Sequence, residues 1–370
     1  MHLMVHRYIE MTSWGDAPMR VLIVDDSVVF RSFFRTCITE LPNIEVIGIA
    51  KDGRDAVHKI KSMKPDLVTL DMEMPHLHGL EVIQCLQSEM PEVCVLVVSS
   101  ESETTAEKTL QVLAAGAFDF ILKPSPSERE PSAVLLKAMK ASLMHARSVG
   151  QVCQSTKRTH RRQPTASHIP NPRQVTASSK ADVIAIGAST GGPAALQRLL
   201  SQFPEDFSLP ITVTQHMPKL FLQSLADRLA RDTPLRAVLA EDGMKLEGGC
   251  IYVAPGDIHM ELERMGTVLR VKLVDGEKLH HCKPAVDATF YSLAKLLPRT
   301  RCVAVVLTGM GADGAAGAKA MRDKQAYVIA QDEASSVVWG MPGETVKCGA
   351  AHEVLPLDEI AAAVVRVSGG

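Results

Sequence analysis

The chain has eight cysteines but no Cys-x-x-Cys pair, so its thiols outline neither a zinc site nor a disulfide framework. Reduced, buried thiols are the expectation. No apolar run approaches the roughly 18 residues that a membrane span needs, which argues against membrane insertion. The opening MHLMVHRYIEMTSWGDAPM also lacks the continuous apolar stretch of a signal peptide, and the expected location is cytoplasmic. A formal net charge of -2 gives no global attraction to nucleic acid or anionic lipid, so no nucleic-acid partner is expected. With 46% hydrophobic and 22% charged residues, the composition is that of an ordinary soluble protein rather than a disordered or fibrous one. A length of 370 residues predicts two or three units, each able to bury a core.

Short apolar runs alternate with longer amphipathic stretches over residues 20–144, the pattern of a parallel sheet with crossover helices. The strands are expected at Val21 to Val24, Glu45 to Ala50, Asp66 to Leu70, Val95 to Val98 and Phe118 to Leu122. Between the first two, Phe33, Phe34, Cys37, Ile38 and Leu41 recur near helical spacing and predict one buried helix face. Residues 1–19 read as an extension without assigned function. Over 145–180 the sequence turns to Ser, Thr, Pro, Gln and Arg without an acidic residue, which predicts a basic flexible linker. Alternation resumes over 181–370, with strands expected at Val183 to Gly187, Ile211 to His216, Gly249 to Pro255, Cys302 to Gly309 and Ala326 to Asp332. Glycines and charges between Glu261 and Gly276 bracket two short strands there and predict a β-hairpin insertion. The fold class is therefore α/β, with two doubly wound domains: a five-stranded flavodoxin-like unit and a mostly parallel second one.

In the first domain Asp25 and Asp26 follow the first strand and Asp71 ends the third. Ligands gather at the carboxyl ends of parallel strands, so the three carboxylates can share one crevice. Close carboxylates repel one another unless a hard cation such as Mg²⁺ holds them. Ser99 and Lys123 end the fourth and fifth strands and bring a hydroxyl and an ammonium to the same edge. In order and register, DDS, LDMEMP, VSS and LKP resemble the response-regulator receiver domain. The resemblance implies that Asp71 accepts a phosphoryl group from a histidine kinase and that Asp25, Asp26 and Asp71 hold Mg²⁺ with the Glu73 carbonyl. It further implies that Lys123 pairs with the phosphoryl oxygens and that Ser99 and Phe120 form the switch pair.

In the second domain GASTGGP follows a strand, with Ser189 on the turn into a helix. This is the Gly-x-Ser-x-Gly pattern that lifts a serine to the top of a sheet near helix amides. A phosphate-cradling loop would need a Lys-Ser/Thr ending or Gly-x-Gly-x-x-Gly, and neither is present. A serine hydroxyl needs a base and a group that orients the base. His216 ends the next strand and Asp313 follows a later one in LTGMGADG, although Asp313 alone could equally cap the helix after it. The order Ser, His, Asp disfavours the α/β-hydrolases. His352 would restore their order but is expected in a peripheral loop, while His259, His280 and His281 read as surface or packing residues.

IGASTGGP, QHMP, YVAPGD, KPAVD, LTGMGADGA and SSVVWGMPG resemble the catalytic domain of the chemotaxis protein-glutamate methylesterase family (CheB). The resemblance implies hydrolysis of glutamyl γ-methyl esters on methyl-accepting chemotaxis receptors, with glutamine deamidation as a second activity and no cofactor for the esterase step. It assigns Ser189 as nucleophile, His216 as base, Asp313 as orienting carboxylate, and Thr190 with the Met310 amide to the oxyanion site. It also implies activation by phosphorylation of the receiver. His281, Cys282, Lys283 and Ala285 stand where Arg, His, Arg and Ser are expected in many relatives. Two rival readings keep the motifs: the same esterase in a non-chemotactic pathway, and a catalytically silent, phosphorylation-gated binding module.

Overall fold

A computed structural model describes residues 17–75, 77–124, 130–133, 135–136, 139–140, 142 and 181–369. The extension before residue 17 and the linker expected at 145–180 lie outside the described residues.

In the first unit β1 (Met19–Val24), α1 (Val28–Thr39), β2 (Ile44–Ala50), α2 (Gly53–Met63), β3 (Leu67–Asp71), α3 (Gly79–Glu89), β4 (Cys94–Ser99), α4 (Glu103–Ala114) and β5 (Asp119–Leu122) follow in order. The sheet order is β2-β1-β3-β4-β5, and β1 pairs in parallel with β2 and β3, and β3 with β4. This is the doubly wound order in which β1 and β3 flank the switch point. Side-chain oxygens start the helices: Ser27 accepts from the Phe30 amide at 3.2 Å and Asp52 from the Asp55 amide at 2.9 Å. The expected face of α1 is buried through Phe34, Cys37 and Ile38.

The second unit holds β6 (Val183–Ala188), α5 (Gly192–Leu200), β7 (Ile211–Gln215), α6 (Lys219–Asp232), β8 (Arg236–Leu239), β9 (Cys250–Val253), β10 (His259–Met265) and β11 (Val268–Val274). Next come α7 (Val286–Leu296), β12 (Cys302–Val306), α8 (Ala315–Asp323), β13 (Tyr327–Gln331), α9 (Met341–Lys347), β14 (Glu353–Leu355) and α10 (Leu357–Ser368). Seven strands form one sheet in the order β14-β13-β12-β6-β7-β9-β8, and every ladder in it is parallel. All of β6 is buried, as expected of a central strand covered on both faces. On one face Phe290 and Leu293 of α7 pack with Ala304 and Val306 of β12 in a shared core.

The expected hairpin is β10–β11, antiparallel in register from His259↔Val274 to Met265↔Val268. Gly266, at φ 62°, supplies the left-handed backbone for its two-residue turn. Two strands were not expected from the pattern. β8 and β14, only four and three residues long, close the sheet at its edges. Chain order reverses at β6, which has β7 on one side and β12 on the other. That is the crevice where an open α/β sheet binds its ligand.

Candidate functional site

The first cluster stands at the carboxyl ends of β1, β3 and β5. The Lys123 ammonium donates to Asp25 Oδ2 and to Asp71 Oδ2, each at 2.8 Å. Asp25 and Asp71 are buried while Asp26 is exposed, and one oxygen from each of the three lies within 4.8 Å of the others. Burial pushes the Asp71 carboxyl up to about 6, with Asp25 adding to the rise and Lys123 opposing it. Burial works against the Lys123 charge as well, but the two carboxylates outweigh it and hold the ammonium above its usual range. The ring of Phe30 lies 4.6 Å from the ammonium and covers a further side of it. The Glu73 amide reaches Asp71 Oδ1 at 3.4 Å. Ser99 is fully buried and bonded to Thr109 Oγ1 at 3.0 Å, and Phe120 is half-buried on β5.

The second cluster is built at the β12-β6-β7 edge. Ser189 follows β6, and its amide donates to the Thr308 carbonyl at 3.0 Å. Gly191, at φ 75°, turns the chain into α5, a conformation that costs little only without a Cβ. His216 follows β7, and its amide is tied to the Ala188 carbonyl at 3.1 Å. Gln215 fastens the two loops together, since its Nε2 donates to the carbonyls of Ser189 at 2.8 Å and His216 at 3.0 Å. Asp313 follows β12 and is 1% exposed.

The His216 imidazole directs Nε2 to Asp313 Oδ2 at 2.7 Å. Asp313 also accepts the amides of Val286 at 2.7 Å and Asp287 at 2.9 Å, the first two residues of α7. So Asp313 does cap a helix, but not the one that follows it: the N-cap of α8 is Gly314, which has no side chain to offer. Burial raises the Asp313 carboxyl, but His216 and the two amides outweigh that and hold it below the usual carboxylate range. For His216 burial favours the neutral ring. The bonds to Asp313 and to Cys282 overcome it and bring the imidazole up to about 9.

The Ser189 hydroxyl makes no hydrogen bond among the described residues, so its bond to the base is one that a reacting complex has to form. With Nε2 committed to Asp313, Nδ1 is the nitrogen left for it. Thr190 sits in the same turn, its carbonyl accepting from Thr308 Oγ1 at 3.0 Å, and Met310 is exposed beyond β12. Among the described residues neither the Thr190 nor the Met310 amide donates a hydrogen bond.

His352 is excluded from this cluster by position. Its Nδ1 accepts the Val328 amide at 3.1 Å and its ring stacks on Tyr327, at the beginning of β13 and so at the opposite end of the sheet. His259 is a packing histidine, bonded to the Glu277 carbonyl at 2.8 Å and the Ala285 amide at 3.2 Å. His280 is not free at the surface: its Nε2 bonds Asp287 Oδ2 at 2.8 Å.

Comparison with known proteins bears on both clusters. The family described as "CheB methylesterase" matches residues 184–364, and "Response regulator receiver domain" matches 21–134. A Geobacillus kaustophilus (strain HTA426) protein named "Protein-glutamate methylesterase/protein-glutamine glutaminase" is 38% identical over 354 residues, 95% of this chain and 99% of its own. The chain belongs to the CheB methylesterase family. A Bacillus subtilis (strain 168) protein of the same name is 37% identical over 94% of this chain and 97% of its own. The crystal structure of the Thermotoga maritima CheB methylesterase catalytic domain aligns with TM-score 0.49 at 37% identity, covering 51% of this chain and 100% of that one.

Three residues around these CheB-type clusters were not assigned a role from the sequence. Gln215 sits in the quoted motif QHMP and Asp287 in KPAVD, so the signal was there, but only the fold brings them beside Ser189 and Asp313. Phe30 carried no signal beyond its place in an apolar run.

Proposed function

We propose that this chain is a phosphorylation-activated protein-glutamate methylesterase acting on methyl-accepting chemotaxis receptors in the cytoplasm. Residues 20–144 serve as the receiver, 145–180 as the linker and 181–370 as the catalytic domain. The observation that carries the reading is the His216–Asp313 bond of 2.7 Å at the strand edge that also presents Ser189.

In the esterase reaction Ser189 Oγ attacks the ester carbonyl and His216 takes its proton at Nδ1. Asp313 keeps the other ring proton on Nε2 and stabilises the imidazolium that forms. The unengaged amides of Thr190 and Met310 are suited to hold the oxyanion. His216 returns the proton to the leaving methoxide, and methanol departs. Water then attacks the glutamyl acyl-enzyme by the same route in reverse and frees the carboxylate. A glutamine side chain would react identically with ammonia leaving, the second activity in the names of the relatives.

In the receiver, Asp71 is the phosphoacceptor for a histidine kinase. The hard oxygen donors of Asp25, Asp26 and Asp71, within 4.8 Å of one another, suit a single Mg²⁺, with the Glu73 carbonyl as a further donor. Bound there, Mg²⁺ supplies positive charge against the incoming phosphoryl group. Lys123, shared by Asp25 and Asp71 at rest, exchanges its bond to Asp71 for one to the phosphoryl oxygens, and Ser99 and Phe120 form the switch pair.

The nucleophile assignment is tested with a serine-directed sulfonyl fluoride. The label is expected on the peptide containing Ser189, with loss of esterase activity and much slower labelling of His216→Ala. Equal labelling of Ser189→Ala would refute it.

A further inference from the structure

Nδ1 of His216 faces a group that the proposed mechanism does not use. The Cys282 sulfur lies 3.5 Å from this nitrogen and 3.5 Å from the His280 carbonyl oxygen. Cys282 closes a tight turn in which its amide donates to the Leu279 carbonyl at 2.7 Å and its carbonyl accepts the Leu279 amide at 3.2 Å. The two central residues, His280 and His281, have φ of 49° and 65°, unusual for residues with a Cβ. The turn is secured from outside by the bond of His280 to Asp287, whose other oxygen accepts the Gly317 amide at 2.7 Å. Asp287 in turn gives its own amide to Asp313. One rigid connection thus fixes both partners of the imidazole.

We propose that Cys282 is a positioning residue of the esterase, its sulfur holding the Nδ1 edge of His216 and governing the proton carried there. The inference rests on the reading of Ser189, His216 and Asp313 given above. The thiol donates to the His280 carbonyl and turns a sulfur lone pair toward Nδ1, so a chain Nδ1–H to Sγ–H to carbonyl runs through the resting site. That polarity favours the imidazolium, because Nδ1 then carries a proton for the sulfur to accept. The charged or titratable groups facing the ring are Asp313 and Cys282, with Asp287 and His280 behind them. Sulfur is a weak acceptor, so the Ser189 hydroxyl can take its place at Nδ1 when substrate binds.

The test compares wild type, Cys282→Ala, Cys282→Ser and Ser189→Ala as full chains. Methanol release from membranes carrying methylated receptors is followed across pH. Cys282→Ala is expected to move the acid limb of kcat/KM down by about half a pH unit to one unit, the size of a modest hydrogen bond. Cys282→Ser, which keeps a donor and an acceptor, is expected to restore part of that shift. Methyl methanethiosulfonate provides a second readout: the thiolate attacks its sulfenyl sulfur, an S–S bond forms and methanesulfinate leaves. The capped wild type should lose activity and regain it with a thiol reductant, while Cys282→Ala should keep it. Superimposed pH profiles, or equal inactivation of Cys282→Ala, would overturn the proposal. Full activity in Ser189→Ala would instead overturn the triad beneath it.

Discussion

At the scale of single residues, the site depends on how two buried groups hold their charges. Asp313 stays ionised although almost wholly buried, because a helix N-terminus and an imidazole both face it. Asp313→Asn keeps the shape but loses the charge and permits the wrong tautomer of His216. A fall in kcat of about a thousandfold to ten-thousandfold is expected, measured as methanol release, together with a loss of about 1–3 kcal/mol of stability on thermal unfolding, because the Asn amide nitrogen would face a buried N–H that a carboxylate oxygen now accepts. His216, raised to about 9, must be neutral to act as a base. Esterase activity should therefore climb with pH through that region, and a kcat/KM profile already flat from pH 7 upward would contradict the electrostatic account. Sequence reasoning picks out Ser189, His216 and Asp313 as candidates because each stands at a strand end inside a glycine-rich or proline-bounded motif. It left Cys282 as an odd residue without a role, since a turn between distant segments carries no mark of what it will face.

At the scale of elements, the geometry is set by neighbouring strands and by how closely their loops approach. A Cβ added to Gly309 would lie 2.8 Å from Ser189 Cβ and 2.3 Å from Met341 Sδ, so the loop after β12 can pass the nucleophile only as glycine. Gly309→Ala should push Ser189 out of line, cut kcat at least tenfold and cost about 1–3 kcal/mol of stability by overpacking, read by a kinetic assay beside thermal unfolding. The strands with unbroken apolar runs, β6 and β12 among them, were legible because burial on both faces leaves no room for polar residues. β8 was not, since it is a partly exposed edge strand with the mixed sequence RAVL. β14, three residues long, offers too little pattern to distinguish from a loop.

At the scale of the whole molecule, one chain carries a carboxylate–lysine cluster and a histidine–aspartate pair beside Ser189, each at the strand ends of its own sheet. Their order along the chain and the architecture of both units were legible in the sequence through alternation and motifs. In the proposed reading the two are coupled, so Asp71→Ala should retain basal esterase activity yet fail to respond to a phosphodonor, whereas wild type should be stimulated severalfold. The most direct measurement is methanol release from methylated receptor membranes by wild type and Ser189→Ala, each with and without acetyl phosphate and Mg²⁺. The account predicts release by wild type that acetyl phosphate increases, and none above background from Ser189→Ala under either condition. Equal release by the two proteins, or release that acetyl phosphate leaves unchanged in wild type, would contradict it.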